Sequence, residues 1–219
     1  MGPVPGMTVA EPSVQTTDFG GLTIAFDDRV LRPRAWTLAQ SQWAEDMLAQ
    51  LPAGPVLELC TGAGHIGLRA VAPHRRRLVA VDVNPTACHF VQQNAKAAGM
   101  ADLVETRLGS MDEVLRPDET FPLIIADPPW VPRPEVGTYP EDPVVAIDGG
   151  DDGMEVVRSC LAAIRRHLTS RGVAVLQLGT VQQAEDVSDL LDSAAPQTIR
   201  MTELRTYDRG VLVRLDRVG

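Results

Sequence analysis

The chain has 219 residues, 44% of them hydrophobic and 22% charged, which is the composition of an ordinary globular protein and excludes wholesale disorder. At roughly 150 residues per domain the length predicts one full domain, and such a chain buries enough surface to need no disulfide staples. A net charge of −9 argues against non-specific nucleic-acid binding, which needs a basic face, and with Lys96 as the single lysine any cationic site must be built from arginine.

Residues 1–17 are poor in large apolar groups and are expected to form a flexible tail, with residues 18–219 as a single domain whose first part, 18–52, is a hairpin and helix extension. The tail lacks the basic and apolar regions of a signal peptide, and nothing approaches the ~18 apolar residues of a membrane span. Cys60, Cys88 and Cys160 have no C-x-x-C spacing, so neither a disulfide framework nor a zinc site is expected. A reducing cytoplasm follows as the expected compartment.

Residues 19–33 read as two short strands around Asp27-Asp28, and 37–51 as a helix with Thr37 as its N-cap. An alternating rhythm then begins. Strand-like runs lie at 56–60, 78–83, 103–108, 121–126 and 173–178. Helical segments lie at 65–72, 85–98, 111–116, 153–168 and 180–194. Alternation of this kind predicts an α/β fold, a mostly parallel sheet with helices on both faces. Residues 198–206 and 210–216, joined by a turn at Asp208-Arg209-Gly210, close it with an antiparallel hairpin.

Three motifs carry chemistry. Glu58-Leu59-Cys60-Thr61-Gly62-Ala63-Gly64-His65 follows a strand and opens a helix; its glycines permit a sharp turn and close approach to a ligand. The bland alternative is a tight strand-to-helix turn. The next strand ends in Val81-Asp82-Val83, where a carboxylate can accept both hydroxyls of a ribose. The pair implies an adenosine-containing ligand, and the acidic Glu58 favours a cationic one over a pyrophosphate. The fourth strand ends in Asp127-Pro128-Pro129-Trp130. Two prolines there fix the backbone, set the Asp127 carboxylate beside the Pro128 carbonyl as paired acceptors, and present Trp130 as a flat wall for a planar –NH group.

With these residues in view the chain resembles the class I S-adenosylmethionine (SAM) methyltransferases of Rossmann-like fold, and among them the amino-methyltransferases with an (N/D)PP(Y/F/W) motif. It is most similar to the release-factor glutamine methyltransferases. Arg32-Pro33-Arg34-Ala35-Trp36-Thr37, Asp148-Gly149-Gly150-Asp151-Asp152-Gly153-Met154, Gln177-Leu178-Gly179 and Tyr207-Asp208-Arg209-Gly210-Val211 add to the likeness. The resemblance implies a SAM site lined by Thr37, Glu58, Cys60, Thr61, Gly62, Gly64, Asp82, Val83, Ser110, Met111 and Asp127. It implies S-adenosylhomocysteine (SAH) as product, and an acceptor site built on Asp127, Pro128 and Trp130. The family usually has Gly where Cys60 stands, Asn-Pro-Pro-Tyr where this chain has Asp-Pro-Pro-Trp, and a helical N-terminal substrate-docking domain for which the 35 residues before Trp36 are too few.

These departures set the expected acceptor. A carboxylate favours a donor-only group, and Glu135, Glu141 and Asp142 lie in an acid-rich stretch over 133–155 that borders the acceptor pocket in the family. The expected substrate is therefore a planar or cationic nitrogen on an amino-acid-like small molecule, with a protein glutamine amide or a nucleic-acid adenine as alternatives. The acid-rich stretch has its own bland alternative, a solvated loop with acids at a helix N-terminus. No metal is expected.

Overall fold

The computed structural model describes residues 13–194 and 198–218. In chain order the elements are β1 (Gln15–Phe19), β2 (Leu22–Phe26), α1 (Leu38–Leu48), β3 (Val56–Leu59), α2 (His65–Val71), β4 (Leu78–Asp82), α3 (Pro85–Ala97), β5 (Val104–Leu108), α4 (Met111–Val114) and β6 (Phe121–Ala126). After β6 come α5 (Val144–Ile147), α6 (Glu155–His167), β7 (Leu168–Leu178), α7 (Val181–Asp192), β8 (Ile199–Tyr207) and β9 (Gly210–Arg217). Single 3-10 turns at Ala35–Thr37 and Arg133–Thr138 complete the set.

Seven strands form one sheet in the order β5-β4-β3-β6-β7-β9-β8. The pairs among β5, β4, β3, β6 and β7 are parallel, and β9 runs antiparallel between β7 and β8. This is the expected α/β architecture with its C-terminal hairpin. Successive side chains on a strand face opposite ways. Val56, Leu123, Ile125, Val173 and Val175 accordingly join the core under α1, α2, α3 and the β1–β2 hairpin. Leu57, Ile124, Ala126, Ala174 and Leu176 join the core under α6 and α7. After β3 the chain crosses to β4 on one side, and β6 adds on the other. The order therefore reverses between β3 and β6, and that reversal opens a crevice beyond their C-terminal ends.

Several local expectations change. The N-terminal hairpin turns at Gly20-Gly21, both at positive φ, rather than at Asp27-Asp28. Asp27 is instead buried and ion-paired with Arg29 at 2.5 Å. The first twelve positions of the expected tail lie outside the described residues, whereas Gln15, Thr16 and Thr17 are strand residues of β1. Thr37 occupies the N-cap position of α1 as expected, but its side chain makes no cap bond; the hydroxyl donates back to the Arg34 carbonyl at 2.8 Å and closes the 3-10 turn. Among the described residues no helix is long and apolar enough to cross a membrane.

Candidate active site

Two cavities open at the crevice. The first, about 690 Å³, is lined by the glycine loop after β3, the end of β4 and the Gly109–Asp112 turn after β5. The second, about 650 Å³, lies over the ends of β6 and β7 and is roofed by the 131–153 segment. Asp127 and Pro129 line both, so the aspartate stands where the two cavities meet.

The first cavity gathers Cys60, Thr61, Gly62, Asp82, Val83, Ser110, Met111 and Asp127 from the expected set. Asp82 shapes the loop as well as the cavity: one carboxylate oxygen accepts from the Gly62 N–H at 2.8 Å and the other from the Asn84 N–H at 2.9 Å. Burial raises its pKa, against the pull of these backbone bonds. Cys60 sits at φ +58° and Gly64 at φ +78°, left-handed conformations that cost a residue with a Cβ about 1 kcal/mol or more. That geometry supplies a physical reason for a glycine preference at position 60.

Glu58, Gly64 and Thr37 lie elsewhere. Glu58 is 2% exposed and lines neither cavity. It points back under the loop, where it accepts from the Thr61 hydroxyl and from the Gly67 N–H at 2.7 Å. Burial pushes its pKa up to about 7. Its placement is that of a brace for the glycine turn, not of a counter-charge exposed to a ligand. Gly67 faces that carboxylate at a distance only a residue without Cβ permits, since a methyl there would lie 2.5 Å from Glu58 Oε2. Gly64 N-caps α2 and packs against Val91.

Thr37 lines the second cavity and bridges to the first through His65, at 3.3 Å from its Nε2. The Thr37 hydroxyl hydrogen is committed to Arg34, so the ring donates. His65 is enclosed at the start of α2. It is 8% exposed, stacks edge-on to Phe19 and lines the first cavity, and burial lowers its pKa to about 3, which keeps it neutral.

Around the second cavity stand Asp127, Pro128, Trp130, Glu135, Glu141 and Asp142, as expected from the sequence. Among the described residues no hydrogen bond reaches the Asp127 carboxylate, and burial pushes its pKa up to about 7. Trp130 lies flat on Gly179, and its carbonyl accepts from Gln183 Nε2 at 2.9 Å while Gln183 Oε1 accepts from the Gly179 N–H at 2.9 Å. One glutamine thus fixes both the motif and the end of β7.

The acid-rich stretch is less free than its composition implies. Arg133 pairs with Asp148 at 3.1 Å and Asp151 at 2.6 Å, and Asp152 pairs with Arg158. Asp142 is bound by Arg34, and Arg34 and Arg209 both lie over the Trp36 ring, 5.5 and 5.3 Å from its centroid. Arg34 and Arg209 both line the cavity, so its rim carries cations that sequence inspection did not place there. Glu135 and Glu141 remain exposed on that rim. Sequence inspection also missed Asn94, whose side chain bonds Ala25 N at 2.8 Å, Ala25 O at 2.9 Å and Ala63 O at 2.9 Å, tying the hairpin to the glycine loop.

The chain matches, over residues 27–135, the family described as Conserved hypothetical protein 95. It is 34% identical over 164 residues to the ribosomal protein uL3 glutamine methyltransferase of Bordetella pertussis, covering 70% of this chain and 53% of that protein. It is 32% identical over 182 residues to the release factor glutamine methyltransferase of Mycolicibacterium smegmatis, covering 80% of this chain and 63% of that one. The chain is thus similar in sequence to proteins named as glutamine methyltransferases. Its fold is shared by the N-terminal domain of human METTL16 in complex with SAH (TM-score 0.64, 16% identity, 89% of this chain and 75% of that one). The chain spans between half and two thirds of the length of the two glutamine methyltransferases.

Proposed function

We propose that the protein is a SAM-dependent N-methyltransferase whose acceptor is a glutamine side-chain amide of a protein. The observation that carries this reading is the position of Asp127, an uncommitted carboxylate at the junction of two cavities, one of nucleoside character and one closed by a tryptophan wall. Similarity to proteins named as glutamine methyltransferases supports a protein amide over the small cationic molecule expected from the acid-rich stretch. The internal pairing of that stretch, and the arginines at the rim, weigh the same way.

The first cavity fits SAM. Val81, Val83, Ile66, Ala87 and Met111 offer apolar surface, Asp82 offers a carboxylate at the strand tip, and a Cβ at Gly62 would meet nothing within 4 Å, so the loop backbone lies open to a ligand. Bound there, SAM supplies an electrophilic methyl on a sulfonium. The work of the protein is alignment. Asp127 Oδ and the Pro128 carbonyl accept the two N–H groups of the acceptor amide and turn the nitrogen toward the first cavity. Trp130 holds the amide plane. The N–C bond would form as the methyl–sulfur bond breaks and SAH leaves, and Asp127 Oδ, with a pKa of about 7, is suited to receive the proton that the nitrogen loses.

Transfer of label from radioactive SAM tests the reading, with Gln-, Arg- and Lys-containing peptides, free amino acids and RNA offered in parallel. Label on the glutamine peptide, lost in Asp127→Ala while SAH binding persists, is the expected result. Label confined to arginine, amines or RNA refutes the amide reading.

A further inference from the structure

Gln177 is 4% exposed and lines the second cavity. Among the described residues no hydrogen bond engages its amide, whose atoms are not sealed in the protein but open onto the cavity. It belongs to the last turn of pleat in β7, and the sheet register fixes its neighbour. Ala126 of β6 pairs with Leu176 of β7, so Asp127 and Gln177 follow at the same level on adjacent parallel strands. Both extend the series of side chains facing α1: Ile125 and Val175, the residues two before them, lie in that core. The register thus sets the two backbone positions roughly one strand spacing apart, about 5 Å, and both residues line the second cavity. Room for the Gln177 amide comes from Gly210, at φ +96°, where a Cβ would lie 3.1 Å from Gln177 Nε2.

We infer that Gln177 is the second half of the acceptor clamp, donating from its amide to the carbonyl oxygen of the substrate amide while Asp127 accepts from the substrate nitrogen. The inference deepens the proposed function and rests on it. An ionised aspartate is an acceptor only. Asp127 can therefore hold the –NH₂ of a carboxamide but leaves its C=O without a donor, and a buried carbonyl without a donor is costly. Of the two arginines that line this cavity, Arg34 is paired with Asp142, and both lie against the Trp36 ring. Gln177 is a neutral donor on the strand adjacent to Asp127. Together they present one acceptor and one donor, the complement of a carboxamide. A guanidinium or alkylammonium has no oxygen to meet the Gln177 –NH₂, so the pair with its amide turned this way favours a carboxamide.

The test compares wild type with Gln177→Met, which keeps the volume and removes the amide, and Gln177→Asn, which keeps the amide on a shorter stem. Methyl transfer to a synthetic peptide with one glutamine between glycines is followed together with SAH affinity and thermal midpoint. We expect kcat/KM to fall by about 10–100-fold in Gln177→Met, largely through KM, and less in Gln177→Asn. SAH affinity and thermal midpoint should stay at wild-type values. Wild-type activity with Gln177→Met within about twofold overturns the inference and leaves the proposed function standing. Losses of SAH affinity and thermal stability in step with turnover in both variants assign Gln177 a structural role and also overturn it. A wild-type enzyme that methylates another acceptor and no glutamine peptide overturns the proposed function, and the clamp with it.

Discussion

Replacing Gly179 by alanine separates the acceptor site from the cofactor site in one step. Gly179 has an unremarkable φ, so the variant carries no backbone strain of its own. Its new Cβ would lie 2.6 Å from Trp130 Cδ2 and Cζ3 and nearer still to Cε3, against an ordinary carbon–carbon contact of about 3.5–4.0 Å. The ring has to move by roughly 1 Å or more. Overpacking of this kind costs about 1–3 kcal/mol. For a protein of this size each kcal/mol is worth about 2–4 °C, so the thermal midpoint should drop by about 2–12 °C. The catalytic effect should be larger, because a wall displaced by about 1 Å misplaces the acceptor, a displacement that can cost about 100-fold. SAH affinity by calorimetry should hold, since Gly179 and Trp130 line only the second cavity. A double-mutant cycle with Trp130→Ala then decides the cause. If Gly179→Ala acts through the ring, it should cost little in a background that already lacks the ring. Fully additive losses in turnover, or a fall in SAH affinity equal to the fall in turnover, would refute the steric argument.

Two further outcomes follow from the carboxylates. Asp82→Ala should weaken SAH binding by about 1–3 kcal/mol and loosen the loop, because the same side chain holds the Gly62 and Asn84 N–H groups; unchanged calorimetric affinity would remove Asp82 from the ligand site. Methyl transfer should rise with pH through about 7 as Asp127 ionises, and fall below it, whereas a pH-independent rate between about 5.5 and 8.5 would show that its charge is not needed. Stability should respond in the opposite sense. Glu58 and Asp127 bind protons more tightly folded than unfolded, so each contributes stability that is full below about pH 4 and is lost as pH rises through about 7. Asp127→Asn should therefore flatten the decline in thermal midpoint between about pH 5 and 8.

The sequence by itself determined what is written in local pattern. The alternation of apolar runs with helical segments gave the parallel sheet, because strand and helix bury their faces at different periods. The glycine loop, Asp82 and Asp127-Pro128-Pro129-Trp130 were visible because each motif is contiguous and sits at a strand end, where such sheets bind ligands. Tertiary structure decided the direction and company of side chains. Glu58 lies four residues before Gly62 but faces away from the cavity, since its place in the pleat turns it under α2 toward Gly67. The acids over 133–155 looked like a cation pocket until Arg133, Arg158 and Arg34 closed on them, and the Arg34–Asp142 pair joins positions 108 residues apart. The hairpin turned at Gly20-Gly21 because positive φ is available there at little cost, while Asp27 could be buried once Arg29 neutralised it. Gln177 reads in sequence as one polar residue in an apolar strand. Only the register of β6 against β7 brings it level with Asp127 on the adjacent strand, because hydrogen bonds between strands, not distance along the chain, fix which residues become neighbours.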